Sequence, residues 1–335
     1  MNMLDNHRVN HLPKTPAVIF FYFLLSFILC LLYHIKIVVT ADWQADNSPS
    51  TVATFETSKP WQFRLLIPIV FKLMSPLYSL NEKYFYTLFN VIIVTLLLFV
   101  YYRILVSYYF ENTKYAVFAA GFLVYPMLWN YVILNQTFQY YDFAAVFLFT
   151  LGIYCILKEN FTGLVAVFIA GIINKETAAY LIFAYIFYNY RKAFSSYVML
   201  RIFLLVLIFI SWKIILEIIF SSNHGDSVEV GLYENIRIIK NIFGDRVLLK
   251  NLLLNFGGIW LFAPLLFISG RWKKFPRRDL LFVNLVIVPY YVLGIFITYI
   301  TEVRVYTELI PLITTLFLIF LSSYERIPLN IRRSC

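Results

Sequence analysis

Long apolar stretches with almost no charge constrain this chain more than any other feature of its sequence. Of the 335 residues, 61% are hydrophobic and only 14% are charged. A water-soluble domain of this size needs more polar surface, whereas apolar runs of roughly 18 or more residues are long enough to cross a bilayer. The sequence therefore predicts an all-α, polytopic integral membrane protein that forms one transmembrane domain over residues 1–335.

Ten apolar segments are predicted to be the transmembrane helices. The fifth and sixth are short for a full crossing, so a re-entrant pair within 161–190 is the alternative for them. In the first segment, the apolar stretch 17–33 is followed by His34 and Lys36 rather than by the small residues of a cleavage site, which favours an uncleaved helix over a signal peptide. The approximate bounds are 17–39, 84–102, 115–132, 142–157, 161–173, 178–190, 199–220, 251–269, 280–300 and 306–323.

The basic residues are distributed unevenly between the two ends of these segments. If the N-terminus is inside, the inner ends carry 16 of the 28 basic residues and five of the 18 acidic ones. An excess of Lys and Arg in short loops marks the cytoplasmic side, which puts both termini in the cytoplasm. The net charge of +10 is then a topology signal, and the run RWKKFPRR at 271–278 is a cytoplasmic loop rather than a nucleic-acid site.

Two long outer loops, about 40–83 and about 221–250, are expected to carry helices that lie at the membrane interface. The first becomes apolar towards its end but is broken by Pro68 and Pro76, and the second alternates charged and apolar residues at near-helical spacing. The three cysteines show no metal-ligand spacing, and no nucleotide-binding or soluble-hydrolase motif is present. Any chemistry must therefore come from isolated polar side chains.

Charged side chains close to lipid are costly, so each one needs a partner or a function. Asp42 and Asp46 follow the first helix, where carboxylates at the mouth of a cavity can act as a general base or hold a metal or substrate. A solvated loop is the alternative for both. In the segment PWQFRLLIP, Gln62 and Arg64 are candidate substrate ligands, because a guanidinium presents a planar set of donors to phosphate; an interfacial anchor is the alternative.

The segments YYDF and NKET supply further candidates at helix ends. Tyr141 and Asp142 begin the fourth helix, where an N-terminal cap is the alternative role for the aspartate. In NKET, Asn174 is a plausible helix cap and Glu176 suits a first turn. Lys175 opposes the helix dipole there, which indicates an anionic partner: a lipid phosphate, Glu176 or Asp142.

The last helix begins with TEVRVYTELIPL, which contributes Glu302, Arg304 and Glu308. Arg304 and Glu308 are four residues apart, so on an α-helix they share a face and form a local ion pair, whereas Glu302 points elsewhere. The alternative is that Arg304 holds a phosphate while Glu302 or Glu308 orients it.

In their order along the chain, the acids after helix one, QFRLLIP, YYDF, NKET and EVRVYTELIPL resemble bacterial membrane proteins of the GT-C glycosyltransferase superfamily. The resemblance extends from about residue 17 to 323. It implies catalysis at the outer face of the bacterial inner (plasma) membrane, a polyprenyl-phosphate-linked sugar as donor, and a glycan, lipid or protein as acceptor. It also implies a general base in the first outer loop, a position that Asp42 and Asp46 occupy here, with Asp42 closer to the helix end.

The Asp-x3-Asp spacing differs from the DD or DxD of some relatives and leaves open which acid is the base and whether a divalent metal takes part. No other cofactor is expected. Besides the donor and acceptor, membrane lipids are the expected partners, and nucleic acid is not. Two other functions remain open: a transporter or flippase for a lipid-linked or anionic substrate, and a non-catalytic subunit of a polysaccharide assembly complex.

Overall fold

In the computed structural model, the described residues are 15–42, 48–55, 57–59, 61–74, 81–135, 137–225, 231–241, 244–297, 302–325 and 329. They form α-helices joined by short irregular, 3₁₀-helical or π-helical segments. In chain order the helices are α1 (Thr15–Tyr33), α2 (Pro49–Val52), α3 (Leu66–Met74), α4 (Glu82–Ile104), α5 (Thr113–Gly121), α6 (Val124–Met127), α7 (Asp142–Leu157), α8 (Phe161–Asn174), α9 (Tyr180–Tyr188), α10 (Ser196–Ile219), α11 (Leu232–Asn241), α12 (Arg246–Leu254), α13 (Phe262–Ile268), α14 (Arg278–Asn284), α15 (Ile287–Ile297) and α16 (Ile310–Glu325). The prediction of an all-α membrane protein is confirmed.

Seven helical segments within these ranges are long and apolar enough to cross a membrane. They are Pro16–Val38, Glu82–Tyr109, Thr113–Ile133, Ser196–Ile219, Arg246–Ile268, Arg278–Ile297 and Val303–Tyr324. The other three of the ten predicted segments form shorter apolar helices, Asp142–Leu157, Phe161–Asn174 and Glu176–Tyr188. Several of the long segments change winding: 34–38, 105–109 and 128–133 are π-helical, and 303–309 is a 3₁₀ helix.

The short helix α7 lies at the centre of the molecule. It packs against α4, α8, α9 and the segment Val303–Leu309. Residues on all of its faces are buried, which explains why its sequence is apolar all round. The long helix α10 is the opposite case: only Val198, Leu205 and Leu216 are buried within it, and its other apolar side chains face outwards, as expected for a helix in contact with lipid.

Both predicted outer loops contain helices where the sequence indicated them. The first holds α2, the 3₁₀ turn Trp61–Phe63 and α3, and the second holds α11 and the start of α12. The middle of the first loop contacts the start of the second, because the Lys59 amide donates to the His224 carbonyl at 2.7 Å. Loop one therefore folds back over the end of α10.

The predicted helix at 251–269 is not one continuous helix. Phe256, Gly257 and Gly258 have φ values of 54°, 65° and 77°, so the chain is left-handed there and α12 ends before α13 begins. Asn130 stabilises the break, because its Oδ1 accepts from the Phe256 amide at 2.7 Å and its amide donates to Asn255 at 3.0 Å. A pair of glycines in an apolar run was the sequence signal for this kink.

Candidate functional site

A buried cluster of charged side chains lies where α7, the α8–α9 turn, the start of the last helix and the first loop meet. Its cations are Arg64, Lys175 and Arg304, and its acids are Asp142, Glu176, Glu302 and Glu308. We call these seven residues the charged cluster. All were selected from the sequence, and the fold brings them together from positions as far apart as 64 and 308.

Lys175 and Glu308 form the central ion pair. Lys175 Nζ lies 2.8 Å from Oε1 of Glu308, and the two side chains are 7% and 1% exposed. The Thr177 hydroxyl donates to the same oxygen at 2.6 Å, and the Tyr290 hydroxyl shares its hydrogen between the other oxygen and the Val305 carbonyl, each at 2.9 Å. Glu308 therefore has a donor on each oxygen, which is what a buried carboxylate requires.

Asp142 is the exception within the cluster. Its side chain is 1% exposed, its nearest cation is Lys175 at 4.0 Å, and neither carboxylate oxygen accepts a hydrogen bond from the described residues. It is also the first residue of α7 rather than its cap, and no side-chain cap bond forms there, so the capping interpretation is wrong. A buried carboxylate without donors is costly, which makes Asp142 the acceptor in this cluster that a ligand with hydroxyl groups would satisfy.

Arg64 packs against the ring of Tyr141. Its guanidinium carbon is 4.4 Å from the centre of the Tyr141 ring, one of its nitrogens is 3.8 Å from Glu176, and another donates to the Tyr141 hydroxyl. Burial opposes its charge, but the Tyr141 phenol and the Glu176 carboxylate outweigh burial and raise the pKa of Arg64 above its ordinary value. Arg64 is therefore a buried cation, not a side chain that extends to lipid headgroups.

Arg304 is paired differently from the sequence-based expectation. Its guanidinium donates to Glu302, the acid that was predicted to point elsewhere, while Glu308 bonds to Lys175. The reason is that residues 303–309 form a 3₁₀ helix with three residues per turn, so positions 304 and 308 point about 120° apart. The local Arg304–Glu308 pair was thus a wrong prediction.

Two candidates chosen as ligands have structural contacts instead. Gln62 is fully buried: its Oε1 accepts from the amide and hydroxyl of Thr57, and its Nε2 donates to the Val52 carbonyl at 3.1 Å. Asn174 is the last residue of α8 rather than a cap, and it donates to the Tyr141 carbonyl at 3.1 Å. Gln62 fixes the first loop, and Asn174 fixes the backbone beside Asp142.

Of the two first-loop acids, only Asp42 lies within the described residues, and none of the ion pairs of the charged cluster includes it. Asp42 is exposed at the end of the helical segment that begins with α1. Tyr33, nine residues earlier, packs against Phe143 at 5.1 Å between ring centres, next to Asp142. Asp42 lies four residues beyond Val38, where this helical segment ends. Asp46 lies outside the described residues.

Tyr290 is the member of the site that sequence reasoning missed. It is buried in an apolar helix, its hydroxyl reaches Glu308, and its ring stacks on Tyr180 at 4.0 Å. Its only signal in the sequence was a phenol within an apolar span, which is common in so aromatic a chain. Thr177 was part of the NKET motif but was not selected.

The electrostatics of the charged cluster suit a ligand with both an anionic and a hydroxyl-bearing part. Nε atoms of Arg64 and Arg304 are buried without acceptors, while Asp142 lacks donors. Unused donors on two guanidiniums fit a phosphate, and an unused carboxylate fits hydroxyls. The described residues contain no group of three or more His, Cys, Asp or Glu side chains that would hold a metal ion.

No protein-family model, curated protein or solved structure matches the chain.

Proposed function

We propose that this protein is a membrane glycosyltransferase of the GT-C type, which moves a sugar from a polyprenyl phosphate to a cell-envelope glycan, lipid or protein. One observation supports the proposal best. The buried Asp142 carboxylate has no hydrogen-bond donor, and the buried Nε atoms of Arg64 and Arg304 have no acceptor. A sugar phosphate supplies the hydroxyl donors and the phosphate acceptors that these groups lack.

In the proposed reaction the acceptor hydroxyl attacks the anomeric carbon of the sugar. A new carbon–oxygen bond forms, the bond from that carbon to the lipid phosphate breaks, and the phosphate leaves with the electron pair. Arg64 and Arg304 stabilise the phosphate as its charge grows. A carboxylate takes the proton of the acceptor hydroxyl.

We assign the proton acceptor to Asp142 rather than to Asp42. The other three carboxylates of the charged cluster are paired: Glu302 with Arg304, Glu176 with Arg64 and Glu308 with Lys175. Asp142 has free lone pairs close to the phosphate-binding cations, whereas Asp42 is exposed. Asp42 then contacts the acceptor at the mouth of the site.

The test is transfer from a lipid-linked sugar by the purified protein in nanodiscs. We expect Asp142→Asn to abolish transfer while the folded protein still binds donor, and Asp42→Asn to retain a substantial part of it. Loss of activity in Asp42→Asn or Asp46→Asn with full activity in Asp142→Asn would return the base to the first loop. Substrate movement across liposomes without a change in its covalent structure would replace the transferase proposal by a flippase.

A further inference from the structure

A polar cavity lies at the opposite end of the helices that carry the charged cluster. Helix α7 has Asp142 at one end and Glu159 two residues beyond the other, and Glu176–Tyr188 likewise runs from the cluster to this cavity. Sixteen residues of helix separate the two ends of α7 by about 24 Å. The cavity is therefore independent of the site proposed for transfer.

This basic cavity has a volume of about 460 Å³ and is lined by more cations than acids. The cations are Arg191, Lys192, Lys273, Arg277 and Arg278, and the acids are Glu159 and Asp279. Arg277 is neutralised by Asp279, to which it donates from both Nε and a terminal nitrogen. Lys192, Lys273 and Arg278 form no ion pair with any described residue, so the cavity keeps a positive excess.

An adjoining slot of about 210 Å³ gives the basic cavity a partly apolar extension. The two share Glu159, Tyr188, Asn189 and Lys192 in their walls. Beyond these residues one part of the slot is walled by the apolar side chains of Ile156, Phe161, Leu164 and Val198, and another part by the polar side chains of Asn160, Ser195 and Arg201. Cytoplasmic cations usually lie on solvated surface loops, and such a loop does not require a neighbouring slot of this kind.

A ligand that fills both spaces must carry an anionic head on an apolar chain. Phosphate is the head that Lys and Arg recognise at membrane surfaces, and the position at the ends of spanning helices puts the cavity level with lipid headgroups. We propose that the basic cavity and its slot form a binding site for a phospholipid with a net negative headgroup, in the leaflet opposite the charged cluster. The phosphate lies among Lys192, Lys273 and Arg278, and the first part of the chain lies in the slot.

The proposal is tested by binding to the purified full-length chain in a neutral detergent. The three probes are short-chain phosphatidylglycerol, phosphatidylcholine with the same chains, and inorganic pyrophosphate, each measured by thermophoresis. The test variant is Lys192→Ala/Arg278→Ala, in which both changed side chains are exposed. The matched control is Lys114→Ala/Lys158→Ala, which removes two exposed cations at the same end of the helices, outside both cavities.

We expect phosphatidylglycerol to bind best, and salt to weaken it. Each removed cation should weaken binding about fivefold, so that the test variant loses about thirtyfold, whereas the control stays within about twofold. Equal losses in the two double variants would mean a diffuse positive surface and would overturn the proposal. Pyrophosphate that binds as tightly as phosphatidylglycerol would also overturn it, since the slot would then contribute nothing, and equal binding of both lipids would remove the role of the cations.

Discussion

Replacing Lys175 by methionine is expected to cost far more stability than removing an ordinary surface charge. Its ammonium lies 2.8 Å from Glu308 and 4.0 Å from Asp142, and all three side chains are at most 7% exposed. With an effective dielectric constant of about 20, unit charges at these distances attract by about 6 and about 4 kcal/mol. Methionine leaves both carboxylates buried without their cation, and breaking such buried pairs costs about 3–5 kcal/mol of unfolding free energy.

A second substitution separates the contributions of the two acids. When Lys175 is lost, Glu308 keeps its hydrogen bonds from the Thr177 and Tyr290 hydroxyls. Asp142 accepts no hydrogen bond from the described residues, so it has no remaining partner. Adding Glu308→Gln to Lys175→Met removes one of the two stranded charges. We therefore expect the double variant to recover about half of the lost stability, with the remainder due to Asp142.

Lys59 provides the matched control for this experiment. Its ammonium pairs with Glu217 at 3.1 Å, almost the same distance, but the Glu217 side chain is 43% exposed. Solvent screens such a pair, so Lys59→Met should cost less than about 1 kcal/mol. The measurement is unfolding in mixed micelles with increasing dodecyl sulfate, followed by tryptophan fluorescence. Equal costs for Lys59→Met and Lys175→Met would refute the argument, because burial would then contribute nothing.

Three further predictions concern the Glu308 hydrogen bond, the kink after α12 and the membrane topology. Tyr290→Phe removes a 2.9 Å bond to Glu308 and should lower the free energy of unfolding by about 1.5–3 kcal/mol in the same assay; no change would mean that this bond is not formed. Gly257→Ala should destabilise the protein more than Gly270→Ala. Both glycines have a positive φ, but only at Gly257 would the new Cβ clash, at 2.5 Å from Tyr125. Equal shifts in melting temperature would contradict this prediction. The thiol introduced by Asp42→Cys should react with an impermeant maleimide added outside intact cells. The thiol introduced by Lys158→Cys should react only after the cells are permeabilised. The reverse result would invert the proposed topology.

The sequence was sufficient to predict the helical class and the seven charged residues that meet in the charged cluster. Apolar length alone located helices at all ten predicted segments, because burial in lipid leaves little other structure available to such runs. The cost of charge near lipid selected Arg64, Asp142, Lys175 and Glu308 without any knowledge of their contacts. That principle identifies residues that need partners, and the fold brings these residues together.

The pairing within the site could not be predicted, because it depends on local winding and on distant elements. A four-residue spacing at 304 and 308 implies an α-helical face, but the 3₁₀ winding of 303–309 turns the two side chains apart. Glu308 then meets Lys175, 133 positions away in the chain, and Arg304 meets Glu302. No periodicity in the sequence encodes a contact of that separation.

The shortness of α7 connects these observations. Its 16 residues extend about 24 Å, whereas the hydrocarbon core of a bilayer is about 30 Å thick, so at least one of its ends lies below the headgroup level. A charge at such an end must be enclosed by protein rather than lipid, and α7 is enclosed by α4, α8, α9 and the segment 303–309. The end of the short central helix that carries Asp142 is thus enclosed by protein, and the Asp142 side chain is only 1% exposed. In the proposed transfer, a lipid-borne phosphate approaches this end from the level of the headgroups while Asp142 stays out of bulk water.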